Sequence, residues 1–293
     1  MFAEACKLAK EFTFPVISSI RLFDGTVSCS QGAFVPVNED GWVLTTAHLW
    51  DRWWAFTKHQ TERAHNEEES KRIELDSTLT VKQKRKYLAR LRPDPKWITN
   101  HSWWWGGDSI KLADVKPLKE VDLVVARLQP WRPNRVATYP TLKDPSRNMD
   151  TGTSLCKLGF PFHDIQATYD QAKATFVLQE GAVPCPLFPI EGIYTRDASA
   201  GKTADGKYEI LFLETSSPGL RGQSGGPTFD SKGTIWAIQS RTDSFPLGFN
   251  PKIKSGGREV EEHQVMNVGL GVHCQVITAF LRDLGISFKL SDY

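Results

Sequence analysis

From Phe14 onward the chain is a series of short apolar runs cut by turn signals, and no other feature limits its fold as much. Runs at 14–22, 26–37 and 42–46 are parted by Asp24-Gly25 and by Asn38-Glu39-Asp40-Gly41. A glycine after an acidic residue supplies the positive φ that a tight hairpin needs. Comparable runs return at 121–128, 154–160, 174–179, 208–214, 234–239 and 265–273. Strands this short, each followed by a turn, predict antiparallel barrels or a sandwich.

Helical patterning is confined to three places. Residues 3–11 form a short amphipathic stretch, and 275–284 carry an apolar face that ends at Gly285. Between them, 51–92 lack Gly and Pro, are dense in charge, and repeat Val81, Leu88 and Leu91 at helical spacing. Arg92-Pro93 marks the stop, because a residue before proline avoids the helical region. This stretch reads as a helical insertion. Pro130, Pro133, Pro140 and Pro145 mark 129–150 as a surface linker between two β-rich halves.

Composition sets outer bounds. A chain of 293 residues with 40% hydrophobic content can bury a core, and 24% charged residues argue against disorder. A net charge of +2 is too small to make nucleic acid or an anionic membrane the main partner. The basic run 82–86 has Glu67-Glu68-Glu69 nearby, so it reads as a solvated helix face. Five cysteines, odd in number and without CxxC spacing, do not make a secreted disulfide framework. With no basic-then-apolar leader and no apolar run of membrane length, a reduced, cytoplasmic protein is expected. The remaining histidines have no ligand spacing with Cys or carboxylates, so no metal and no cofactor are expected. Trp103-Trp104-Trp105 is expected to pack at the foot of the insertion.

Chemistry concentrates on Ser224, in the run Gly222-Gln223-Ser224-Gly225-Gly226-Pro227. Glycines on both sides permit positive φ and a close approach of main-chain N–H groups to a substrate. Acyl transfer needs two such donors aimed at the developing oxyanion, here those of Gly222 and Ser224. Alone, the run fits a turn, an esterase elbow or a protease loop equally well. His48 closes the apolar strand Trp42-Val43-Leu44-Thr45-Thr46-Ala47, and Asp122 heads the apolar run Leu123-Val124-Val125-Ala126. A carboxylate there needs a hydrogen-bonding partner, and an imidazole Nδ1–H is one.

These three segments together resemble the trypsin/chymotrypsin superfamily. Thr45-Thr46-Ala47-His48 is similar to its T-A-A-H motif, Asp122-Leu123-Val124-Val125 to its D-[IL]-A-[LV] motif, and 222–227 to G-D-S-G-G-P. The order His, Asp, Ser agrees. Within the superfamily, Gly152 to Pro161 and Leu213-Glu214-Thr215 look like segments of the HtrA-like bacterial trypsin-like peptidases. The resemblance implies an all-β fold of two antiparallel six-stranded barrels, with a helical insertion, an N-terminal helix and a C-terminal helix. It implies one peptidase domain over 1–293, with a first barrel in 1–135, an insertion placed at 51–118, and a second barrel with its helix in 150–293. His48 is then the general base, Asp122 its orienting carboxylate and Ser224 the nucleophile, with Gly222 and Ser224 forming the oxyanion hole. Pro218, Gln239, Ser240 and Thr242 fall in the substrate-binding segments, and the substrate is an extended polypeptide added as a strand.

The departures carry information too. Leu49 stands where secreted members have a disulfide cysteine. Gln223 replaces the aspartate that pairs with a freed N-terminus in zymogen-type members, so that mode of activation is not expected. Pro218 falls where trypsin carries its substrate-binding Asp, so no preference for Lys or Arg follows. The insertion leaves directly after His48, which makes 51–118 a candidate docking surface for a regulator or substrate protein. A dedicated effector role, as in bacterial stress or antiphage defence, is compatible with this layout. Two other readings compete: an α/β-hydrolase esterase with His263 or His273 as its base, and a binding scaffold that keeps the fold without catalysis.

Overall fold

The computed structural model describes residues 2–256 and 258–293. It opens with helix α1 (Ala3–Glu11), followed by β1 (Phe14–Leu22), β2 (Val27–Pro36) and β3 (Trp42–Thr45). A 3-10 turn, Ala47–Trp50, leads into α2 (Asp51–Leu75) and α3 (Val81–Leu88). The chain then returns to the sheet as β4 (Ile98–Trp105), β5 (Lys111–Leu118) and β6 (Leu123–Gln129). These six strands run β4-β1-β2-β3-β6-β5, every pair antiparallel. The two edges, β4 and β5, approach each other across the 106–110 turn, so the sheet curls into a barrel with one open seam.

The linker enters the second unit through β7 (Thr141–Leu142) and continues into β8 (Ser154–Gly159). A side hairpin, β9 (Ala167–Asp170) and β10 (Thr175–Leu178), precedes β11 (Phe188–Lys202), β12 (Glu209–Thr215), β13 (Pro227–Phe229) and β14 (Ile235–Pro246). A second hairpin, β15 (Lys252–Ser255) with β16 (Arg258–Glu261), leads to β17 (Val265–His273), α4 (Cys274–Asp283) and β18 (Lys289–Leu290). The sheet order is β13-β8-β11-β12-β17-β14, and β13 also pairs with β14. That last pairing closes a six-stranded antiparallel barrel. The two-residue strands β7 and β18 add to the β14 edge in parallel. The fold is the chymotrypsin-like double barrel, with helical extras.

The insertion is shorter than expected. Its helical part ends with the 3-10 turn Ala89–Leu91, and residues 98–118 belong to the first barrel as β4 and β5 instead of to an insertion over 51–118. Thr80 ends the α2–α3 turn with a capping box: its hydroxyl accepts from the Gln83 amide, and the Gln83 side chain answers the Thr80 amide. Neither helix has a fully buried residue, so the hairpin is held by one face only. That face lies on β4, where Trp50 packs against Trp103 and Trp105 at ring separations of 5.3 and 5.5 Å. Trp103 and Trp105 are thus packed as expected, on a barrel strand, whereas Trp104 faces the other way, against Ile17 and Ile165.

The apolar run at 121–128 owes its continuity to burial on both faces. Val124, Ala126 and Leu128 point into the first barrel with Val16, Phe34 and Val43. Leu123 and Val125 face the other way, into a core shared with Leu158, Phe229 and Ile238 of the second barrel. Alternating side chains of one strand therefore bind the two units together. α1 reinforces the join on the far side: Ala5 and Ala9 are buried in that shared core, and Phe2 meets Phe229 edge to face. Its boundaries and its burial agree with the amphipathic pattern. Among the described residues no helix is long and apolar enough to cross a membrane, and all five cysteines are free.

Candidate active site

The site lies where the two barrels meet. β3 ends in the buried Thr45, the buried Thr46 follows, and the 3-10 turn then lifts His48 to the surface of the seam. Its Nδ1 is 2.9 Å from Asp122 Oδ2, and its backbone N–H donates to Asp122 Oδ1 at 2.8 Å. The His48 side chain is 40% exposed and that of Asp122 only 15%, so the carboxylate sits beneath the imidazole. Asp122 itself occupies the left-handed region, with φ 59° and ψ 41°. Asp tolerates that region better than most residues, and the Ala47 amide holds the turn by donating to the Asp122 carbonyl at 3.2 Å.

Both charges are sustained by the pairing. Burial works against the Asp122 carboxylate, yet the hydrogen bond and charge of His48, with the Ser240 hydroxyl and the His48 amide, hold its pKa below the ordinary value. Burial also disfavours the His48 imidazolium, but Asp122, helped by Asp51, outweighs it and raises the pKa of the ring.

Ser224 lies across the same cleft. A space of about 790 Å³ is lined by His48, Asp51 and Arg52 on one side and by Phe162, Arg221, Gly222 and Ser224 on the other. Ser224 Oγ donates to the Ser240 carbonyl at 3.3 Å, and no hydrogen bond joins it to His48 in this state. The backbone around it is fixed from both barrels. The Ser224 carbonyl accepts from the Ala33 amide at 2.7 Å, and the Gly225 amide donates to Gln239 at 2.8 Å. The N–H groups of Gly222 and Ser224 meet no protein acceptor among the described residues, which leaves two donors open beside the hydroxyl.

Glycine is required here by space. At Gly222, φ 93°, a Cβ would collide with the Phe160 carbonyl. At Gly225, φ 84°, it would collide with the Ala33 carbonyl and with Thr45 Oγ1, across the junction of the barrels. We expect Gly225→Ala to lower stability by roughly 2–5 kcal/mol, combining left-handed strain with overpacking. A urea unfolding midpoint unchanged from wild type would refute that.

Gln223 is fully buried. Its Oε1 accepts from the Leu220 amide at 2.9 Å and its Nε2 donates to the Phe188 carbonyl at 3.4 Å. The loop that presents Gly222 is therefore braced by its own side chain.

The four residues expected in the substrate-binding segments divide. Pro218 is half-buried in the segment 216–220, and Thr242 Oγ1 bridges to the Gly219 carbonyl at 2.6 Å across the gap between the two segments. Gln239 is buried, with Nε2 donating to the carbonyls of Arg241 and Leu270 at 3.0 and 3.1 Å, so its amide is committed to the barrel wall. Ser240 is turned the other way. The β14–β17 register slips between Gln239 and Arg241, and the bulge leaves Ser240 out of the ladder. Its hydroxyl donates to Asp122 Oδ2 and its carbonyl receives Ser224 Oγ, so it supports the carboxylate and the serine.

Of the two rival histidines, His273 is occupied elsewhere. His273 is buried at the start of α4, where Nδ1 accepts from the Gln275 amide at 3.0 Å and Nε2 faces Asp197 at 3.4 Å. The sheets are antiparallel apart from the short β7 and β18 pairings, which excludes an α/β-hydrolase layout. One residue was passed over in the sequence. Lys157, inside the apolar strand β8, is buried and ends beside Thr215 and Ser217. A lysine within Leu155-Cys156-Lys157-Leu158 was the signal available for it.

No family model matches the sequence, and no curated protein matches it. Among solved structures, the chain is similar to the active form of the Rv3671c protease from M. tuberculosis. The identity is 11% over 98% of this chain and 86% of that one, with a TM-score of 0.49. It is also similar to the HtrA-type protease AlgW with a tripeptide, at 14% identity over 97% of this chain and 63% of that one, with a TM-score of 0.47. At these identities the likeness assigns no residue a role. By its sheet topology the chain has the chymotrypsin-like fold, the architecture of trypsin-like and HtrA-like serine proteases.

Proposed function

We propose that the protein is a serine endopeptidase that cleaves a polypeptide through an acyl-enzyme on Ser224. The observation that carries this reading is the His48–Asp122 pair, 2.9 Å apart, set on the same cleft as Ser224. Donation of Nδ1–H to the carboxylate leaves Nε2 unprotonated and free to accept. When substrate fills the cleft, Ser224 Oγ leaves the Ser240 carbonyl and turns to His48. The Oγ then attacks the scissile carbonyl carbon while its proton passes to Nε2. The carbonyl oxygen takes the negative charge and is met by the N–H groups of Gly222 and Ser224. Collapse breaks the C–N bond, and His48 returns the proton to the departing amine. Water, activated by the same imidazole, attacks the ester and releases the acid and Ser224.

Control by a freed N-terminus is not part of this proposal, because Gln223 already braces the oxyanion loop. The helical hairpin is the better place for control. α2 begins at Asp51, and both Asp51 and Arg52 line the cleft, so a partner seated on the hairpin would touch the mouth of the site.

A fluorophosphonate probe tests the reading. Covalent labelling mapped to Ser224 is expected, with a rate that rises with pH. His48 must be neutral to accept the proton, and Asp122 raises its pKa, so the midpoint falls above the 6.5 of an ordinary imidazole. Labelling followed between pH 5 and 9 would show this as one rising transition. No labelling at any pH, or a rate independent of pH, would sink the mechanism.

A further inference from the structure

All five thiols are free, and among the described residues one pair of them is in contact. Cys6 Sγ of α1 and Cys156 Sγ of β8 are 3.9 Å apart, although 150 positions separate them in the chain. The others turn elsewhere: Cys29 to Ser19, Cys185 to the Ala182 carbonyl and Cys274 to Met149.

The contact is set by two registers that match. Phe2 and Cys6 are four positions apart and joined by a helical hydrogen bond of 2.7 Å, so they share one face of α1. Phe229 and Cys156 are directly opposed in the β13–β8 pairing. Phe2 meets the Phe229 ring edge to face at 6.3 Å, which seats Cys6 over Cys156 one turn later. Ala5 and Ala9, buried in the core shared by the barrels, keep the helix there. A disulfide holds its sulfurs about 2 Å apart. The remaining approach falls to rotation about two Cα–Cβ bonds and a small slide of a nine-residue helix.

The two thiols are unequal. Cys6 is half-buried and within reach of a small oxidant, whereas Cys156 is buried. Burial, and then the adjoining Cys6, push the Cys156 pKa up to about 12, so it does not react with an oxidant on its own.

We propose that Cys6 and Cys156 are a redox-sensitive staple that closes to a disulfide when the protein meets a peroxide. The Cys6 thiolate attacks one peroxide oxygen, the O–O bond breaks, and the sulfur becomes a sulfenic acid. Cys156 Sγ then attacks Cys6 Sγ. The S–O bond breaks, and the departing hydroxide takes the Cys156 proton as water. Two thiols and one hydrogen peroxide thus give one disulfide and two waters, with two electrons passing from sulfur to oxygen. The place of the bond gives it its effect. α1 runs into β1 of the first barrel, whereas Cys156 belongs to the second. The disulfide therefore ties the unit that carries His48 and Asp122 to the unit that carries Ser224, and it does so whatever Ser224 does.

The test treats the full chain with a slight excess of hydrogen peroxide, alkylates the remaining thiols and maps the peptides without reductant. A cross-linked Cys6–Cys156 peptide is expected, with two hydrogens lost from the intact mass and full reversal by a dithiol. Closing so long a loop should raise Tm by roughly 5–10 °C, and Cys6→Ser should show no such rise. Peroxide that leaves Cys6 open to alkylation, or carries it to a sulfinic acid, without that cross-link overturns the inference. Pairing of Cys6 with another cysteine or with a second chain overturns it too, and a cross-link with an unchanged Tm would end its role as a staple. The wild-type map decides the matter even where the variant does not fold.

Discussion

Replacing Ser224 with alanine is expected to abolish fluorophosphonate labelling and to lower peptide hydrolysis by roughly 10⁴- to 10⁶-fold. The size follows from what the hydroxyl alone supplies. The other parts of the site remain: the His48–Asp122 pair, the two open N–H groups and the cleft. They can still bind a peptide and polarise its carbonyl, which accounts for the residual rate over water. Stability should barely change. The Ser224 side chain makes one hydrogen bond, at 3.3 Å to the Ser240 carbonyl, and is half-buried, so its loss should cost no more than about 1 kcal/mol. Equal thermal unfolding of the two proteins with opposite labelling would place the effect on chemistry. A variant that still hydrolyses peptide at a tenth of the wild-type rate would mean that Ser224 is not the nucleophile.

Much of this site could be read in the sequence because its parts are local. His48 is placed by a short apolar strand and the turn that ends it, and Ser224 by glycines that neighbouring backbone makes compulsory. α1, β1 and β17 likewise agree with the apolar patterns at 3–11, 14–22 and 265–273. The failures share a cause: they are set by partners distant in the chain. β4 contains Asn100, His101 and Ser102, which signal no strand. It is a strand because β1 pairs with it and α2 covers it. β11, Phe188–Lys202, is mostly exposed and includes Pro189 and Gly192, yet β8 and β12 hold it between two ladders. Ser240 was placed in a substrate-binding segment by the resemblance of its strand alone. The bulge that aims its hydroxyl at Asp122 is a matter of register with β17, which no local pattern encodes.

Asp122→Asn tests the part of the mechanism that depends on charge and not on shape. Asparagine tolerates a left-handed backbone about as well as aspartate, so φ 59° at this position should survive the change. Its amide keeps one oxygen, which can still accept from the His48 amide or the Ser240 hydroxyl. We expect stability within about 1 kcal/mol of wild type. Activity should fall by roughly 10³- to 10⁴-fold at neutral pH. The amide NH₂ now faces His48 Nδ1 and donates to it, which moves the ring proton to Nε2. A protonated Nε2 cannot accept from Ser224, and the imidazolium formed in attack loses its counter-charge. Asp122→Ala should lose activity to the same degree and, in addition, roughly 2–4 kcal/mol of stability, since alanine at this φ is strained and three donors, the His48 amide, His48 Nδ1–H and the Ser240 hydroxyl, lose their acceptor. The pair of variants therefore separates orientation from folding. Nitrogen NMR of His48 should show the proton on Nδ1 in the wild type and on Nε2 in the asparagine variant. Wild-type rates from Asp122→Asn would mean that the carboxylate neither orients the imidazole nor sustains its charge, and the proton path through this pair would have to be abandoned.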